Sequence, residues 1–271
     1  MSTLKNSIKK ITPPGLMSAA RNTLDTLNRL KDLPEATFHP WRRDTIHRLG
    51  ALRDIHKGER CFIIGNGPSL RQTDLTKLRG ETTIGLNRIF LAFDELGFET
   101  SYLVSVNDLV IEQSSLELQA LGMPRFFSWR SHRHIQPDQD MYFLYTTYTG
   151  PRFARDVRGR LWEGATVTYV ALQLAFFLGF KTVILIGVDH NFVTKGKPNE
   201  TVVSQGDDPN HFHPGYFGKG FRWQLPDLET SERAYRMART AYEDAGRIVL
   251  DATVDGKLTV FPKVDYLSLF Q

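Results

Sequence analysis

From residue 60 onward, short apolar segments alternate with longer segments in which apolar residues recur at helical spacing. The short segments are rich in β-branched and aromatic residues, and several end at Gly or Asn, which is typical of strands. We predict strands at Cys61–Ile64, Thr82–Leu86, Tyr102–Val106, Arg125–Ser128, Met141–Leu144, Thr182–Ile186 and Arg247–Asp251. We predict helices at Leu70–Leu78, Leu109–Leu121, Ala165–Leu178 and Leu228–Ala245. This alternation predicts an α/β fold, doubly wound, with a mainly parallel sheet and helices on both faces.

Residues 1–50 follow a different pattern, and we predict that they form an amphipathic helical extension of an α/β domain at residues 51–271. Apolar residues recur at helical spacing up to the break at Pro34, at Leu16, Ala20, Leu24, Leu27 and Leu30. The apolar face is modest and contains no bulky aromatic residue. Packing on the domain or association into a homo-oligomer is therefore favoured, and peripheral contact with the inner face of the membrane is the minority alternative.

The composition is that of an ordinary globular protein, with 41% hydrophobic and 24% charged residues in a chain of 271. The formal net charge of +4 suits small anionic ligands but is too small to indicate binding to nucleic acid. The single cysteine, Cys61, lies in a predicted buried strand, which excludes an intramolecular disulfide and favours a cytoplasmic location. The most apolar stretch, Val167 to Phe180, is too short to span a membrane.

The first predicted strand ends in the turn Gly65-Asn66-Gly67-Pro68-Ser69-Leu70, which is the most informative motif of the chain. In open α/β sheets, ligands bind beyond such strand ends, where glycines let the backbone approach a ligand and helix N–H groups face an anion. The dinucleotide fingerprint requires a third glycine where this chain has Leu70, and the motif lacks the Gly-Lys-Ser/Thr of a P-loop. The turn therefore predicts a nucleotide site of another type, with a purely structural turn as the alternative.

Polar residues also follow other predicted strands. Asn87 and Asn107 carry amides that can read a base edge or a ribose hydroxyl, although Asn also commonly caps turns. Asp108 is interpreted as the N-cap of the next helix. Asp189, at the end of the central strand, can position a hydroxyl or bind a metal ion.

The segment Asn191–Leu225 has no regular pattern, and a loop of this length in a compact domain is usually functional. Its aromatic residues and histidines predict an active-site lid. Candidates for a general acid or base are His190, His211 and His213. Asp207 and Asp208 are candidates for magnesium binding or for a polar turn. No cysteine or Glu-x-x-His accompanies the histidines, so we predict no zinc site.

Three stretches together resemble two related groups of proteins: the turn at Gly65–Leu70, Asn87-Arg88-Ile89-Phe90, and Gly164-Ala165-Thr166-Val167 leading to Gly187-Val188-Asp189. One group is the family that contains the archaeal 6-hydroxymethylpterin diphosphokinase. The other is the bacterial sialyltransferases that use CMP-activated sugars. The first resemblance is closer and extends over roughly residues 58–270, including Asn210-His211-Phe212-His213-Pro214.

The sialyltransferase resemblance implies a nucleotide site and a general base. Combined with the strand-end pattern, it predicts as nucleotide-binding residues Gly65, Asn66, Gly67, Ser69, Asn87, Asn107 and Thr166. It implies that either His211 or His213 deprotonates the acceptor hydroxyl, while Asp189 orients the acceptor or that histidine. The paired tyrosines that assist the leaving phosphate in those enzymes have no clear match after Asp189.

The diphosphokinase resemblance implies ATP, magnesium and a pterin alcohol, with Asp189, Asp207 and Asp208 near the metal. We predict a transferase with a Rossmann-like nucleotide-binding domain that uses a nucleotide-activated donor. The leading hypothesis is a sialyltransferase-like glycosyltransferase in surface-glycan synthesis, with a CMP-linked sugar as donor and a small-molecule or glycan acceptor. A magnesium- and ATP-dependent diphosphokinase and a non-catalytic nucleotide-binding protein are the alternatives.

Overall fold

The computed structural model describes residues 32–194 and 196–271, together with Thr23, Thr26 and Leu27. Within these residues the strands are β1 (Arg60–Ile64), β2 (Thr83–Leu86), β3 (Tyr102–Ser105), β4 (Arg125–Ser128), β5 (Met141–Thr147), β6 (Arg160–Trp162), β7 (Thr182–Ile186), β8 (Thr201–Val203), β9 (Arg222–Gln224) and β10 (Ile248–Asp251). Strands β8 and β9 form an antiparallel pair, and the others form one parallel sheet in the order β10-β7-β1-β2-β3-β4-β5-β6. The predicted α/β fold is confirmed.

The α-helices of the same residues are α1 (Leu33–Phe38), α2 (Pro40–Leu52), α3 (Phe93–Leu96), α4 (Asp108–Gln113), α5 (Ser115–Ala120), α6 (Val167–Leu178) and α7 (Leu228–Glu243). Helices α6 and α7 confirm two of the predicted helices. The apolar pattern does not predict β6, β8 or β9, because each has only three residues.

Two predicted helices are wrong in detail. Leu70–Leu78 is a pair of 3₁₀ helices, Pro68–Gln72 and Leu75–Leu78, because the side chain of Asp74 accepts a hydrogen bond from the backbone N–H of Thr76 and starts a new turn there. Leu109–Leu121 is divided at Ser114, whose φ of −124° and ψ of 24° lie outside the helical region. The chain after β1 and β3 is therefore more irregular than the apolar spacing suggests.

Helix α6 lies at the centre of the fold, as its uniformly apolar sequence predicts. Every residue of the helix after Val167 is buried. Gly179 ends it with a left-handed φ of 101°, which glycine adopts without steric cost. Alternate side chains of β1 belong to different apolar clusters, since Cys61 is in the cluster that includes α6 and α7 while Phe62 is in the cluster that includes α4 and α5. Helices therefore cover both faces of the sheet.

The order of the strands reverses between β1 and β7. From β1 the chain proceeds outward to β6 on one side, and it then returns to place β7 on the other side of β1. In doubly wound sheets the carboxyl ends of two such strands diverge and leave a crevice that binds ligands. Here those ends carry Gly65–Ser69 and Gly187–His190.

The predicted amphipathic helix of residues 16–30 lies outside the described residues, except for Thr23, Thr26 and Leu27. Helix α2 crosses the predicted boundary between residues 50 and 51, and it packs on β5. Thr45 accepts a hydrogen bond from the backbone N–H of Phe143 at 3.3 Å, and Arg48 donates to the carbonyl of Met141 at 2.7 Å. The division at residue 50 stays a prediction. Across the described ranges, no helix combines the length and apolarity needed to cross a bilayer.

Candidate active site at the sheet crevice

A cleft of about 490 Å³ lies beyond the carboxyl ends of β1, β2, β3 and β7, next to the first residues of α6. The predicted site residues that line it are Gly65, Asn66, Gly67, Asn87, Asn107, Thr166, Asp189 and His211. Ser69 and His213 are not among its lining residues. The fold therefore brings together residues that are far apart in the sequence.

The turns after β1 and β7 pack directly against each other. A Cβ atom on Gly65 would overlap with the carbonyl oxygen of Gly187, and one on Gly67 would overlap with the carboxylate of Asp189. These glycines are therefore required for contact between two protein turns. Ser69 donates from its N–H (3.0 Å) and its hydroxyl (2.7 Å) to the Asp189 carboxylate, so that Ser69 positions Asp189. Burial raises the pKa of Asp189, and these hydrogen bonds oppose part of that rise.

Asn66 is buried, and its side chain is only half satisfied. Its amide nitrogen donates to the carbonyl of Leu86 at 3.0 Å, which fixes the orientation of the amide. Its Oδ1 atom is buried without a hydrogen-bond partner, and the residue lines the cleft. Buried polar atoms nearly always have a partner. Oδ1 of Asn66 is therefore available to accept a hydrogen bond from a ligand.

Asn87 and Asn107 both bond to the protein itself. Asn87 has a left-handed φ of 48°, and its Oδ1 accepts from the Ser105 hydroxyl at 3.1 Å. Oδ1 of Asn107 accepts from the N–H groups of Leu109 and Val110 at the start of α4. Both residues line the cleft while they also hold local structure.

Asn107, and not Asp108 as predicted, is the N-cap of α4. The Asp108 carboxylate turns away from the helix end and meets Arg130 at 3.0 Å, and it accepts from the hydroxyls of Ser128 and Ser131. Burial raises the pKa of Asp108, but Arg130 and these hydroxyls outweigh it, so the net shift is downward. The Asp108 carboxylate, which the sequence assigns to helix capping, therefore forms an ion pair with Arg130 instead.

The N-terminus of α6 lines the cleft through Thr166, Val167 and Thr168. Thr166 is the N-cap, and its hydroxyl lies 3.3 Å from both the N–H of Thr168 and the Tyr235 hydroxyl. Ala165 adopts a left-handed φ of 59° to enter the helix. Such backbone strain in a non-glycine residue concentrates at functional sites, and the positive end of the helix dipole attracts anions.

The segment Asn191–Leu225, which the sequence predicts to be irregular, contains the antiparallel pair β8–β9 and is called the β8–β9 segment below. It packs on the rest of the domain. Its apolar residues form a cluster with Val110 of α4, comprising Tyr216, Phe217, Trp223 and Leu225. The N–H of Phe212 donates to the carbonyl of Asn66 at 2.8 Å, and Arg71 donates to the carbonyls of His211 and Phe212. These contacts hold the β8–β9 segment over the cleft.

The β8–β9 segment contains His211 and His213, and it gives the two histidines different partners. Nδ1 of His211 lies 2.7 Å from the carboxylate of buried Asp208, and the imidazole stacks on Tyr216 with a centroid distance of 4.0 Å. His213 accepts a hydrogen bond from the N–H of Gly215 through Nδ1. A carboxylate at Nδ1 orients an imidazole and leaves Nε2 as the basic nitrogen. The three-residue spacing between Asp208 and His211 is the sequence signal for this pair.

Charged groups in the cleft are few. Among the described residues that line it, none is Lys or Arg. Its carboxylates already have partners, since Asp189 bonds to Ser69, Glu163 pairs with Arg130 at 2.7 Å, and Asp227 accepts from Thr230. No group of three potential metal ligands occurs in the described part of the chain. These residues do not fit a preformed magnesium site.

Comparison with known proteins identifies the family. The sequence model described as 6-hydroxymethylpterin diphosphokinase MptE-like matches residues 42–195. The chain belongs to this MptE-like family. The match includes the strand ends at Asn66, Asn87, Asn107 and Asp189 and the N-cap Thr166, whereas His211 lies beyond it. The resemblance to this family is confirmed.

One solved structure similar to this MptE-like chain is the MAf glycosyltransferase from Magnetospirillum magneticum AMB-1. Its TM-score is 0.46 and its sequence identity is 14%, and the alignment covers 95% of this chain and 43% of that one. This chain thus spans less than half the length of that structure. No curated protein matches the chain.

Proposed function

We propose that the chain is a transferase that moves a sugar from a CMP-linked donor to an acceptor hydroxyl. The observation that carries this proposal is the His211–Asp208 pair at a cleft whose described lining has no lysine or arginine. The pair supplies a base for a hydroxyl group. The lack of lysine and arginine in this lining favours a donor of low charge. We further propose surface-glycan synthesis as the setting, with a small-molecule or glycan acceptor.

The nucleoside would occupy the part of the cleft next to β1 and β2. Oδ1 of Asn66 lacks a protein partner and can accept from a base amino group or a ribose hydroxyl. The phosphate would lie at the N-terminus of α6, where Thr166 is the N-cap. Gly65 and Gly67 would contribute indirectly, because they let the Asp189 turn approach the nucleoside side of the cleft.

His211 would act as the general base. Asp208 at 2.7 Å accepts a hydrogen bond from Nδ1–H, so Nε2 carries the lone pair that takes the proton of the acceptor hydroxyl. The acceptor oxygen then bonds to the anomeric carbon as the bond from that carbon to the phosphate oxygen breaks. Asp208 stabilises the imidazolium that forms, and Asp189 would orient the acceptor.

Charge separates this proposal from transfer of a pyrophosphate. Phosphoryl-transfer enzymes surround a nucleoside triphosphate with lysine, arginine and magnesium to neutralise its charge. The phosphate of a CMP-sugar carries a single charge, which a helix N-terminus and a histidine can balance. The described lining of this cleft suits the smaller charge.

A diphosphokinase is the second candidate, because the family that the chain belongs to is described by that activity. It would require ATP with magnesium and a pterin-like alcohol. His211 would serve equally well as the base for that alcohol. The lining carboxylates are already engaged, so magnesium would have to arrive with the nucleotide.

Calorimetry with the full chain distinguishes these candidates. CMP, UDP, GDP and ATP are each titrated with and without magnesium. Binding of CMP without metal supports glycosyl transfer, and binding of ATP that depends on magnesium overturns it in favour of the diphosphokinase. Donor turnover is then compared between His211→Gln and the matched control His213→Gln. Loss of turnover in the first variant alone supports the base, and nucleotide binding with no turnover in the wild type indicates a non-catalytic binding protein.

A further inference from the structure

His190 stands in a strained backbone position at the edge of the cleft. It follows Asp189 at the end of β7, and its φ is +53°, a left-handed value that non-glycine side chains seldom adopt. The residue lines the cleft. Backbone strain in a non-glycine residue persists only where the surrounding structure enforces it, and it concentrates at ligand sites. The fold therefore enforces the placement of an imidazole there.

The His190 imidazole is nearly buried and contacts a carboxylate through one nitrogen. The side chain is 8% exposed, and Nε2 lies 3.3 Å from Oε1 of Glu232 on α7. The other oxygen of Glu232 pairs with Arg236 at 2.8 Å. Within the described residues Nδ1 of His190 has no hydrogen-bond partner. A protonated His190 would therefore satisfy Glu232 through Nε2 and keep a second N–H, on Nδ1, for a ligand.

His190 is linked to the N-terminus of α6 through one residue. The ring of Tyr235 lies 6.1 Å from that of His190, edge to face, and the Tyr235 hydroxyl lies 3.3 Å from Oγ1 of Thr166. Helix α6 has twelve residues, so its terminal N–H groups carry an appreciable positive charge. The buried, unpartnered Oδ1 of Asn66 in the same cleft independently indicates a ligand there.

The cleft offers few other groups that can carry a positive charge. Of the described residues that line it, only His190 and His211 have side chains that can be cationic. His211 must be unprotonated at Nε2 to act as the base. We infer that His190 is the cationic partner of the donor phosphate and assists its departure, a role that rests on the proposed glycosyl transfer.

In the step itself, the bond between the acceptor oxygen and the anomeric carbon forms, and the bond between that carbon and the phosphate oxygen breaks. The electron pair of the broken bond stays on the phosphate oxygen. The acceptor proton moves to Nε2 of His211, and Nδ1–H of His190 donates to the leaving phosphate. The phosphodiester monoanion becomes a phosphomonoester that His190 either protonates or stabilises as the dianion.

The test compares a nucleotide with its nucleoside. Calorimetry with the full chain measures the affinities of CMP and cytidine for the wild type and for His190→Asn, since asparagine tolerates a left-handed φ. We expect the variant to lose about tenfold in CMP affinity, as for one charge-assisted hydrogen bond, with cytidine affinity unchanged. His213→Asn is the matched control and should bind both ligands as the wild type does. Glu232→Gln should also lower the affinity for CMP selectively. Because the Glu232 side chain is partly exposed, this variant serves as the test if His190→Asn does not fold.

Each outcome separates this inference from the proposed function. If the wild type binds CMP but both variants bind it as tightly, or if CMP and cytidine weaken equally, His190 is not the phosphate partner while the nucleotide proposal stands. If the wild type binds neither CMP nor cytidine, both proposals are overturned. Selective loss of CMP in both variants supports the assignment.

Discussion

The carboxylate of Asp208 lies 2.7 Å from Nδ1 of His211, and both residues belong to the β8–β9 segment. Asp208 is buried, and its Oδ1 accepts a hydrogen bond from the N–H of Asn210 at 2.8 Å. The ring of Tyr216 stacks on the imidazole of His211 with a centroid distance of 4.0 Å. The protein itself therefore sets the orientation of His211, as catalysis by a general base requires.

Asp208→Asn should lower turnover without abolishing nucleotide binding. The amide cannot stabilise an imidazolium, so we expect kcat to fall about 100-fold, within the range of general base catalysis, with little change in donor KM. Steady-state kinetics measures both parameters. Asp207→Asn is the control, because Asp207 is its exposed sequence neighbour and should retain wild-type turnover. Full activity in Asp208→Asn would show that the pair is not the base.

Gly67→Ala should destabilise the protein, because its new Cβ overlaps with the carboxylate of Asp189. Overpacking of this kind costs about 1–3 kcal/mol. For a protein of this size we expect the melting temperature to fall by about 2–4 °C for each kcal/mol lost. Gly122→Ala is the control, because a Cβ there meets no atom within 4 Å. Equal melting temperatures in a thermal scan of the two variants would refute the close contact of the β1 and β7 turns.

The pKa of Asp189 gives a prediction for stability against pH. Burial raises this pKa above its ordinary value of 3.8, so the folded protein binds the proton more tightly than the unfolded chain. Its contribution to stability is therefore present below pH 3.8 and is lost as the pH rises through the raised value. Asp189→Asn removes this term. Urea unfolding at a series of pH values should show the free energy of unfolding of the wild type rising relative to the variant as the pH falls, and a constant difference would contradict the assignment.

Cys61 should be inert in the native protein. Burial raises the pKa of its thiol well above the usual value, and only the thiolate is nucleophilic. We expect no reaction with a colorimetric disulfide reagent at pH 8 in buffer, and one equivalent of reaction in concentrated guanidinium, since the chain has one cysteine. Rapid stoichiometric reaction under native conditions would be incompatible with the central position of β1.

Seven strands of the parallel sheet and the helices α6 and α7 are predictable, because their apolar residues form a run or a helical period that shows in the local pattern. The structure of Leu70–Leu78 is not predictable in this way. Its apolar spacing suits an α-helix, but a hydrogen bond from the Thr76 N–H to the Asp74 side chain starts a new turn there. Strands β8 and β9 are too short to show a period, and their stability comes from contacts with Val110 and its neighbours. The sequence also predicts Asp208 in a turn or at a metal ion. The three-residue spacing to His211 permits the pair, but only the structure shows that Asp208 is buried beside the imidazole.

By itself, the sequence determines the fold class and the residues that stand at the ends of β1, β2, β3 and β7, since both follow from local runs of apolar residues and the turns that end them. Only the tertiary structure decides how those residues are used. It brings Asp189 onto Ser69 across 120 positions and Phe212 onto Asn66, and it pairs His211 with Asp208 but His213 with the N–H of Gly215, although a single residue lies between the two histidines. The reason is physical: burial and hydrogen bonding between distant segments depend on how layers pack, and no local pattern encodes that packing.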